Sequence, residues 1–264
     1  MPFTPSHVAA VLPFARTPLL PAALVVGSVV PDLFYFVPID VERGFSHSLL
    51  GAVTLDLAAG LIVFTLWQLV FRRPAADFAP YWLRARLPSG RTGSTRSARL
   101  FVGARLAAGY GALAAASLLV GIATHLAWDT LTHAGWLTSV APWMTQPLGP
   151  LPVVKWMQHG SSVLGAVIVV VWFALWVRRT AVVEPEPGRL TRAGRVLGWV
   201  AVLLPALALG LWYWIRGIGW GVSPVDADLV FRTVRLCIGG AGLAAIVVCL
   251  AWWALRRRVR VRAN

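Results

Sequence analysis

The stretch SLLGAVTLDLAAGLIVFTLWQLVF, residues 48–71, decides the fold because it is apolar over enough residues to cross a bilayer. A helix of about 20 residues spans a hydrocarbon layer of ~30 Å, and Asp56 is the one charged side chain inside this stretch. Further apolar stretches of similar length follow at about 103–128, 161–178, 196–215 and 229–255. The sequence therefore predicts an all-α fold, a polytopic transmembrane helical bundle of five spans.

The regions between these spans carry the charge. The chain has 264 residues, of which 58% are hydrophobic and 13% charged, and its net charge is +14. Arginine blocks fill residues 72–102, 179–195 and 256–264. Because basic loops stay in the cytoplasm, these blocks favour a topology signal over nucleic-acid binding, with anionic lipid head groups as an alternative partner. We expect a multi-pass cell-membrane protein in the lipid bilayer with a cytoplasmic C-terminus.

Two apolar stretches near the N-terminus are too short to span comfortably. They are HVAAVLPFA, residues 7–15, and LLPAALVVGSVVPD, residues 19–32, and prolines interrupt both. The pattern predicts a helical hairpin with His7 and Asp32 at the same outer end. The alternative is that residues 17–37 cross the membrane fully, which would put His7 in the cytoplasm.

The chain is predicted to have three consecutive parts. Residues 1–178 hold the hairpin, the first three spans and a metal site, and residues 179–195 form a cytoplasmic linker. Residues 196–264 form two accessory spans with a basic tail.

The histidines cluster on the predicted topology. The chain has five histidines, and each one lies at the outer end of a segment or in an outer loop. In THLAWDTLTHAG, residues 124–135, His125, Asp129 and His133 follow each other at intervals of four. They share one helix face, but each step rises about 6 Å, so neighbours can share a metal ion and the two ends cannot. Either Asp129 bridges two ions, one with His125 and one with His133, or the helix unwinds near Thr130 and Thr132 before Gly135.

Taken together, the ligand-type residues predict a metal centre. A single histidine near a membrane interface is more often a satisfied polar group, but a set on one side of a membrane indicates function. Imidazole and carboxylate ligands suit zinc and related divalent ions, and the spacing favours two or more of them. Asp56 is expected either to support a metal ligand through a hydrogen bond or to pair with an interior arginine, rather than to bind metal itself. The candidate metal ligands are His7, Asp32, His47, His125, Asp129, His133 and His159.

Five motifs resemble those of an uncharacterised bacterial membrane family, the domain of unknown function numbered 4184. They are MPFTPSHVAAVLP at residues 1–13, GSVVPD at 27–32, FSHSLLG at 45–51, THLAWDTLTH at 124–133 and QHGSSVLG at 158–165. That family resembles predicted membrane-bound metal-dependent hydrolases. The resemblance covers about residues 1–215.

The order of ligands is also similar to that in zinc-dependent phospholipase C, a helical enzyme with three zinc ions. This resemblance implies that Asp32 is the catalytic carboxylate beside the attacking water and that Asp129 is shared between metals. It also implies that His7, His47, His125, His133 and His159 are zinc ligands. The chain departs from the pattern at Val163, where the phospholipase has a glutamate, and His7 follows six residues after Met1 instead of lying close to the N-terminus. Two ions are therefore expected rather than three.

The expected function is a membrane-bound metal-dependent hydrolase that acts on phosphoester or lipid head-group substrates at the outer face. One alternative is a metal-ion or solute transporter, although few polar groups continue inward along the spans. A second alternative is a degenerate structural membrane protein that keeps a metal for stability, which Val163 favours.

Overall fold

The protein, seen in a computed structural model, is described over residues 4–87, 104–184 and 190–261. Within these ranges five helical segments are long and apolar enough to cross a membrane: Leu49–Phe78, Ala108–Val140, Val153–Arg179, Arg192–Gly219 and Ala227–Arg256. The predicted all-α polytopic bundle is confirmed. Five arginines of the predicted cytoplasmic blocks lie outside the described residues, namely Arg91, Arg96, Arg99, Arg189 and Arg262.

Over the described ranges the regular secondary structure is helical apart from one short β-ribbon. In chain order the α-helices are α1 (Val8–Val11), α2 (Pro21–Val29), α3 (Arg43–Ser46), α4 (Leu49–Gly51), α5 (Leu57–Leu66), α6 (Arg72–Phe78), α7 (Tyr81–Arg84), α8 (Ala104–Thr132), α9 (Trp136–Val140), α10 (Val153–Arg179), α11 (Arg192–Gly219) and α12 (Ala227–Val261). The 3-10 turns are Thr4–His7, Leu12–Arg16, Val30–Tyr35 and Pro142–Thr145. The π-helical segments Ala52–Asp56 and Trp67–Phe71 join α4, α5 and α6 into the first span. Strand β1 (Pro147–Leu148) pairs antiparallel with β2 (Leu151–Pro152).

The N-terminal region is a helical hairpin, as predicted. Its second arm, Pro21–Tyr35, is shorter than any of the spans, and Pro21 begins α2 where a missing N–H costs nothing. The two arms meet at their far ends, because the hydroxyl of Thr4 donates to Asp32 Oδ2 at 2.7 Å. His7 and Asp32 therefore lie on the same side, and the alternative of a full crossing by residues 17–37 is wrong.

Helix α2 lies directly against α8 because glycines remove the side chains between them. A Cβ at Gly27 would overlap the Leu118 carbonyl oxygen, and one at Gly121 would overlap that of Leu24. Small residues of this kind let helix backbones approach closely in membranes. The contact fixes Asp32, which follows α2, against His125 and Asp129, which belong to α8.

The chain divides into two compact units. Unit 1 comprises Met1–Phe34, Ile39–Phe64 and Ser94–Thr180, and unit 2 comprises Tyr35–Pro38, Thr65–Gly93 and Ala181–Asn264. Both units are discontinuous in sequence. The predicted parts 1–178, 179–195 and 196–264 are consecutive and describe a different kind of division, which stays a prediction.

Unit 2 is built mainly from α11 and α12. A Cβ at Gly210 would overlap Cys237 Sγ, so this glycine allows the two helices to approach closely. The residues of α6 also belong to this unit, where the Trp252 indole donates to Asp77 Oδ2 at 3.0 Å. Arg195 donates to the Asp77 carbonyl oxygen at 3.0 Å.

Candidate metal centre

Six ligand-type side chains of unit 1 converge on one buried cluster. His7 ends the first 3-10 turn, Asp32 lies in the turn after α2, and His47 follows α3 directly. The remaining members come from α8 and its end: His125, Asp129 and His133. His7 and His125 have no exposed surface, and Asp32 has 2%. These three side chains are therefore almost completely inaccessible to water.

Two histidines of the cluster face both carboxylates. His47 Nε2 lies 3.4 Å from His125 Nε2, 3.5 Å from Asp32 Oδ1 and 3.4 Å from Asp129 Oδ2. His125 Nε2 lies 3.8 Å from each of the same two oxygens. A tetrahedral ion with bonds of about 2.0–2.1 Å separates its ligand atoms by about 3.4 Å. Two sets of three residues have ligand atoms that all lie within 4.8 Å of one another and could hold an ion: His7 with Asp32 and His125, and His47 with His125 and Asp129.

The other oxygen of Asp129 faces different imidazoles. Asp129 Oδ1 lies 3.4 Å from His7 Nε2 and 3.4 Å from His133 Nδ1. Helix α8 does not unwind before His133, because the His133 amide still donates to the Asp129 carbonyl oxygen at 2.9 Å. Asp129 therefore lies between two sets of imidazoles, and α8 ends at Thr132, before Gly135. That Asp129 bridges two ions stays a prediction.

Neighbouring groups orient the ligand-type side chains. His125 Nδ1 lies 2.9 Å from the Ser28 carbonyl oxygen, which can only accept, so Nδ1 carries the proton and Nε2 keeps a lone pair for an ion. The ring of His7 stacks on that of His125 with centroids 4.0 Å apart. The Thr4 hydroxyl donates a hydrogen bond to Asp32 Oδ2 and so restrains that carboxylate. Such supporting hydrogen bonds are the usual surroundings of metal ligands.

Several polar atoms in the cluster have no hydrogen-bond partner within the described ranges. They are both ring nitrogens of His7, Asp129 Oδ1 and His133 Nε2, and all are buried. A buried polar atom without a partner costs free energy, so such atoms are rare unless a ligand satisfies them. The residues present fit a divalent cation, which would satisfy imidazole lone pairs and carboxylate oxygens together.

Burial and charge set the protonation of the members that lie outside the spans. Burial lowers the pKa of His7 to about 4, so this imidazole is neutral at pH 7. Burial alone would raise the pKa of Asp32, but hydrogen bonding to His47, the neighbouring imidazole of His125 and a hydrogen bond from Thr4 outweigh it and hold the pKa below its usual value. Burial likewise opposes a charged His47, yet hydrogen bonds to Asp129 and Asp32 raise its pKa to about 9. A cation that binds His47 must therefore displace a proton.

The structure does not bring His159 into this cluster. His159 is exposed on α10, and so is Val163, which is 65% exposed. The buried face of α10 instead carries Gln158 and Ser162, each one position before His159 and Val163 respectively, and also Gly165. Because each residue turns a helix by about 100°, that shift is enough to point His159 away.

Asp56 is a separate buried carboxylate. It has no exposed surface, and neither of its oxygens has a hydrogen-bond partner in the described part of the chain. It ends the π-helical segment Ala52–Asp56, an irregularity that is often found at functional sites. That Asp56 supports a metal ligand stays a prediction.

Sequence reasoning missed Arg43. Its guanidinium donates to Asp129 Oδ2 at 3.0 Å. The missed signal was its position four residues before His47, which places both side chains on one side of a short helix.

The fold and the cluster together define a class: a multi-pass membrane protein whose buried histidines and aspartates could hold a metal ion. Residues 1–252 match the sequence model of the domain of unknown function DUF4184. The chain belongs to this family. No curated protein and no solved structure matches it.

Proposed function

We propose that this protein is a membrane-bound hydrolase that uses two divalent metal ions, zinc in preference to others, to cleave an ester at the membrane surface. The observation that carries the proposal is the position of Asp129. One of its oxygens faces His47 and His125, and the other faces His7 and His133. A carboxylate shared in this way is the bridging ligand that a pair of cations requires.

The donor set supports zinc. Four imidazoles with two carboxylates are borderline-soft ligands, whereas Mg²⁺ and Ca²⁺ prefer sites made of oxygen atoms. Ligand-atom separations of 3.4–3.5 Å also suit a tetrahedral ion with short bonds.

Each side chain has a role in the proposed reaction. When bound, divalent ions held by these residues would lower the pKa of a water and stabilise the charge that develops on the oxygens of the reacting centre. Asp32 stays ionised at neutral pH because its pKa is lowered, so its carboxylate can accept a hydrogen bond from the attacking water and orient it. Thr4 keeps the other oxygen of Asp32 occupied and thereby sets the direction of the first.

The topology that we propose puts this site at the outer face. Five spans with basic blocks at 72–102, 179–195 and 256–264 satisfy the charge rule if the C-terminus is cytoplasmic. Reporter fusions that are active only outside the cytoplasm should then be silent after residue 264. Activity of such a fusion would reverse the sidedness.

Hydrolysis by zinc-loaded full-length protein tests the proposal. A panel of phosphate and carboxylic esters is assayed with wild type beside Asp32→Asn, which keeps the size of the side chain but removes its charge. We expect wild-type turnover and a loss of about 100-fold or more in Asp32→Asn, as for removal of a positioned base. Equal rates would remove the role of Asp32. Bound metal without hydrolysis would favour a structural centre, and ion flux into proteoliposomes without hydrolysis would favour a transporter.

A further inference from the structure

Arg43 lies at the exposed edge of the cluster and contacts it through part of its guanidinium group. Its side chain is 47% exposed, although the carboxylate it contacts is 8% exposed. One nitrogen of the guanidinium donates to Asp129 Oδ2 at 3.0 Å, and this is its one hydrogen bond in the described chain. A guanidinium has five N–H groups in a planar fork, so most of its donors are free to bind a ligand.

A cavity of about 250 Å³ opens beside this arginine. Its lining includes polar residues, among them Arg43, Asp129 and His133, and the apolar residues Leu126, Ala134 and Trp136. A cavity lined by both kinds of residue fits a molecule that has an anionic group and an apolar group. The lining is continuous with the candidate metal centre, because Asp129 and His133 belong to both.

The charges of the cavity favour an anion. Asp129 is the one acidic residue in its lining, and its two oxygens already face imidazoles and Arg43. Glu42, which precedes Arg43, is exposed and is not part of the lining. With cations held by the cluster, those cations and Arg43 together would carry more positive charge than the single lining carboxylate, Asp129, can balance. A neutral carboxylic ester would gain little from it, whereas a phosphate group accepts paired hydrogen bonds from arginine.

We propose that Arg43 is the residue that selects the substrate and that it binds the phosphoryl oxygens of a phosphate ester whose apolar part lies against Leu126, Ala134 and Trp136. This inference rests on the proposed hydrolase function and names its substrate class. In the reaction the water oxygen forms a new bond to phosphorus and the ester P–O bond breaks. The alcohol leaves with a proton that comes from the water, and inorganic phosphate or a phosphate monoester remains.

Phosphate binding tests Arg43 without turnover. Full-length protein is loaded with zinc, freed of excess zinc and titrated with inorganic phosphate in a calorimeter. We expect Arg43→Gln to bind phosphate about 10- to 100-fold more weakly, as for loss of charged hydrogen bonds, and Arg43→Lys to fall between it and wild type. Arg16→Gln is the matched control, since Arg16 is exposed at the turn of the N-terminal hairpin, and it should bind like wild type.

Zinc content distinguishes substrate binding from support of Asp129. If Arg43 only held Asp129 in place, Arg43→Gln would lose zinc together with phosphate affinity. We expect zinc per chain to be unchanged, because Arg43 supplies no lone pair to a metal. Unchanged phosphate affinity in Arg43→Gln, or loss of its zinc, would overturn the proposal.

Two phosphate esters distinguish a lipid source from a soluble one. Dioctanoyl phosphatidic acid and glycerol phosphate each compete with inorganic phosphate for wild-type protein. We expect the lipid phosphate to bind more tightly, because its chains cover the apolar residues of the lining. Equal affinities would reject the apolar half of the site. Failure of every phosphate to bind would reject the substrate class and leave hydrolysis of carboxylic esters, assayed separately, as the test of the hydrolase itself.

Discussion

The two units of this membrane protein differ in what they bury. Within the described ranges, every buried polar or charged side chain belongs to unit 1, including the whole histidine and aspartate cluster. The buried side chains of unit 2 are apolar, for example Ala206, Leu229 and Trp252. Both units consist of equally apolar helices, with span hydropathies of 1.6–2.2 in all five segments. Hydropathy therefore indicates that a helix spans the membrane, but not whether it carries a site.

In unit 2, charged side chains lie over tryptophan rings, whereas those of the cluster in unit 1 face one another. Arg216 lies over the rings of Trp212 and Trp220, and Arg256 lies over that of Trp252. Paired Arg and Trp side chains are typical of membrane-interface anchoring. Ionisable groups inside a membrane are costly, and the buried histidines and carboxylates of the described ranges all lie in unit 1.

The largest effect that we expect from this difference is a loss of zinc when a glycine at a helix contact of unit 1, but not of unit 2, is replaced. Gly121→Val should separate α2 from α8 and remove bound zinc, since Asp32 lies in the turn directly after α2 and Asp129 belongs to α8. Gly210→Val should crowd Cys237 in unit 2, lower the free energy of unfolding by about 1–3 kcal/mol and leave zinc per chain unchanged. Zinc analysis and thermal unfolding of the two purified variants check this. Equal zinc loss in both would mean that the site depends on both units alike.

A smaller effect is expected at Thr4. Thr4→Val keeps the shape of the side chain but removes the 2.7 Å hydrogen bond to Asp32. Supporting groups of this kind usually contribute 10- to 100-fold in metal affinity or activity, and we expect a loss of about that size. The control is Thr54→Val, because Thr54 is exposed and its hydroxyl donates to the Leu50 carbonyl oxygen of its own helix. Similar zinc affinity in the two variants would show that Thr4 does not support the site.

The smallest effect is expected at His159. Its side chain is exposed and lies outside the cluster, so His159→Ala should keep the zinc content and activity of wild type. His133→Ala is the comparison, since His133 lies 3.4 Å from Asp129 Oδ1 and its removal should lower the zinc content. Zinc loss from His159→Ala would mean that α10 rotates when metal binds.

The fold could be predicted well from the sequence because membrane spans depend on local length and hydropathy. The hairpin was also accessible, since prolines at positions such as Pro21 and Pro31 mark where short helices begin and end. The convergence of six ligand-type residues followed from their placement at the same ends of successive segments. None of these inferences needed the packing of side chains.

Other features of the site depend on packing and could not be predicted. Which face of α10 is buried depends on its contact with Ser6 at Gly165, so His159 could not be distinguished from Gln158. The acceptor that orients His125 is the backbone carbonyl of Ser28, and a backbone atom has no sequence signature. Arg43 could have been noticed from its spacing to His47, but its contact with Asp129 joins positions far apart in the chain.

Metal content of the purified full-length protein is the most direct measurement of a two-ion centre bridged by Asp129. Wild type and Asp129→Asn are loaded with zinc, freed of excess metal and analysed by mass spectrometry for zinc per chain. Two zinc ions are expected in wild type and at most one in Asp129→Asn, because an amide cannot supply the negative charge that holds two cations close. A wild-type protein without bound metal, or the same zinc content in both proteins, would contradict a bridged centre.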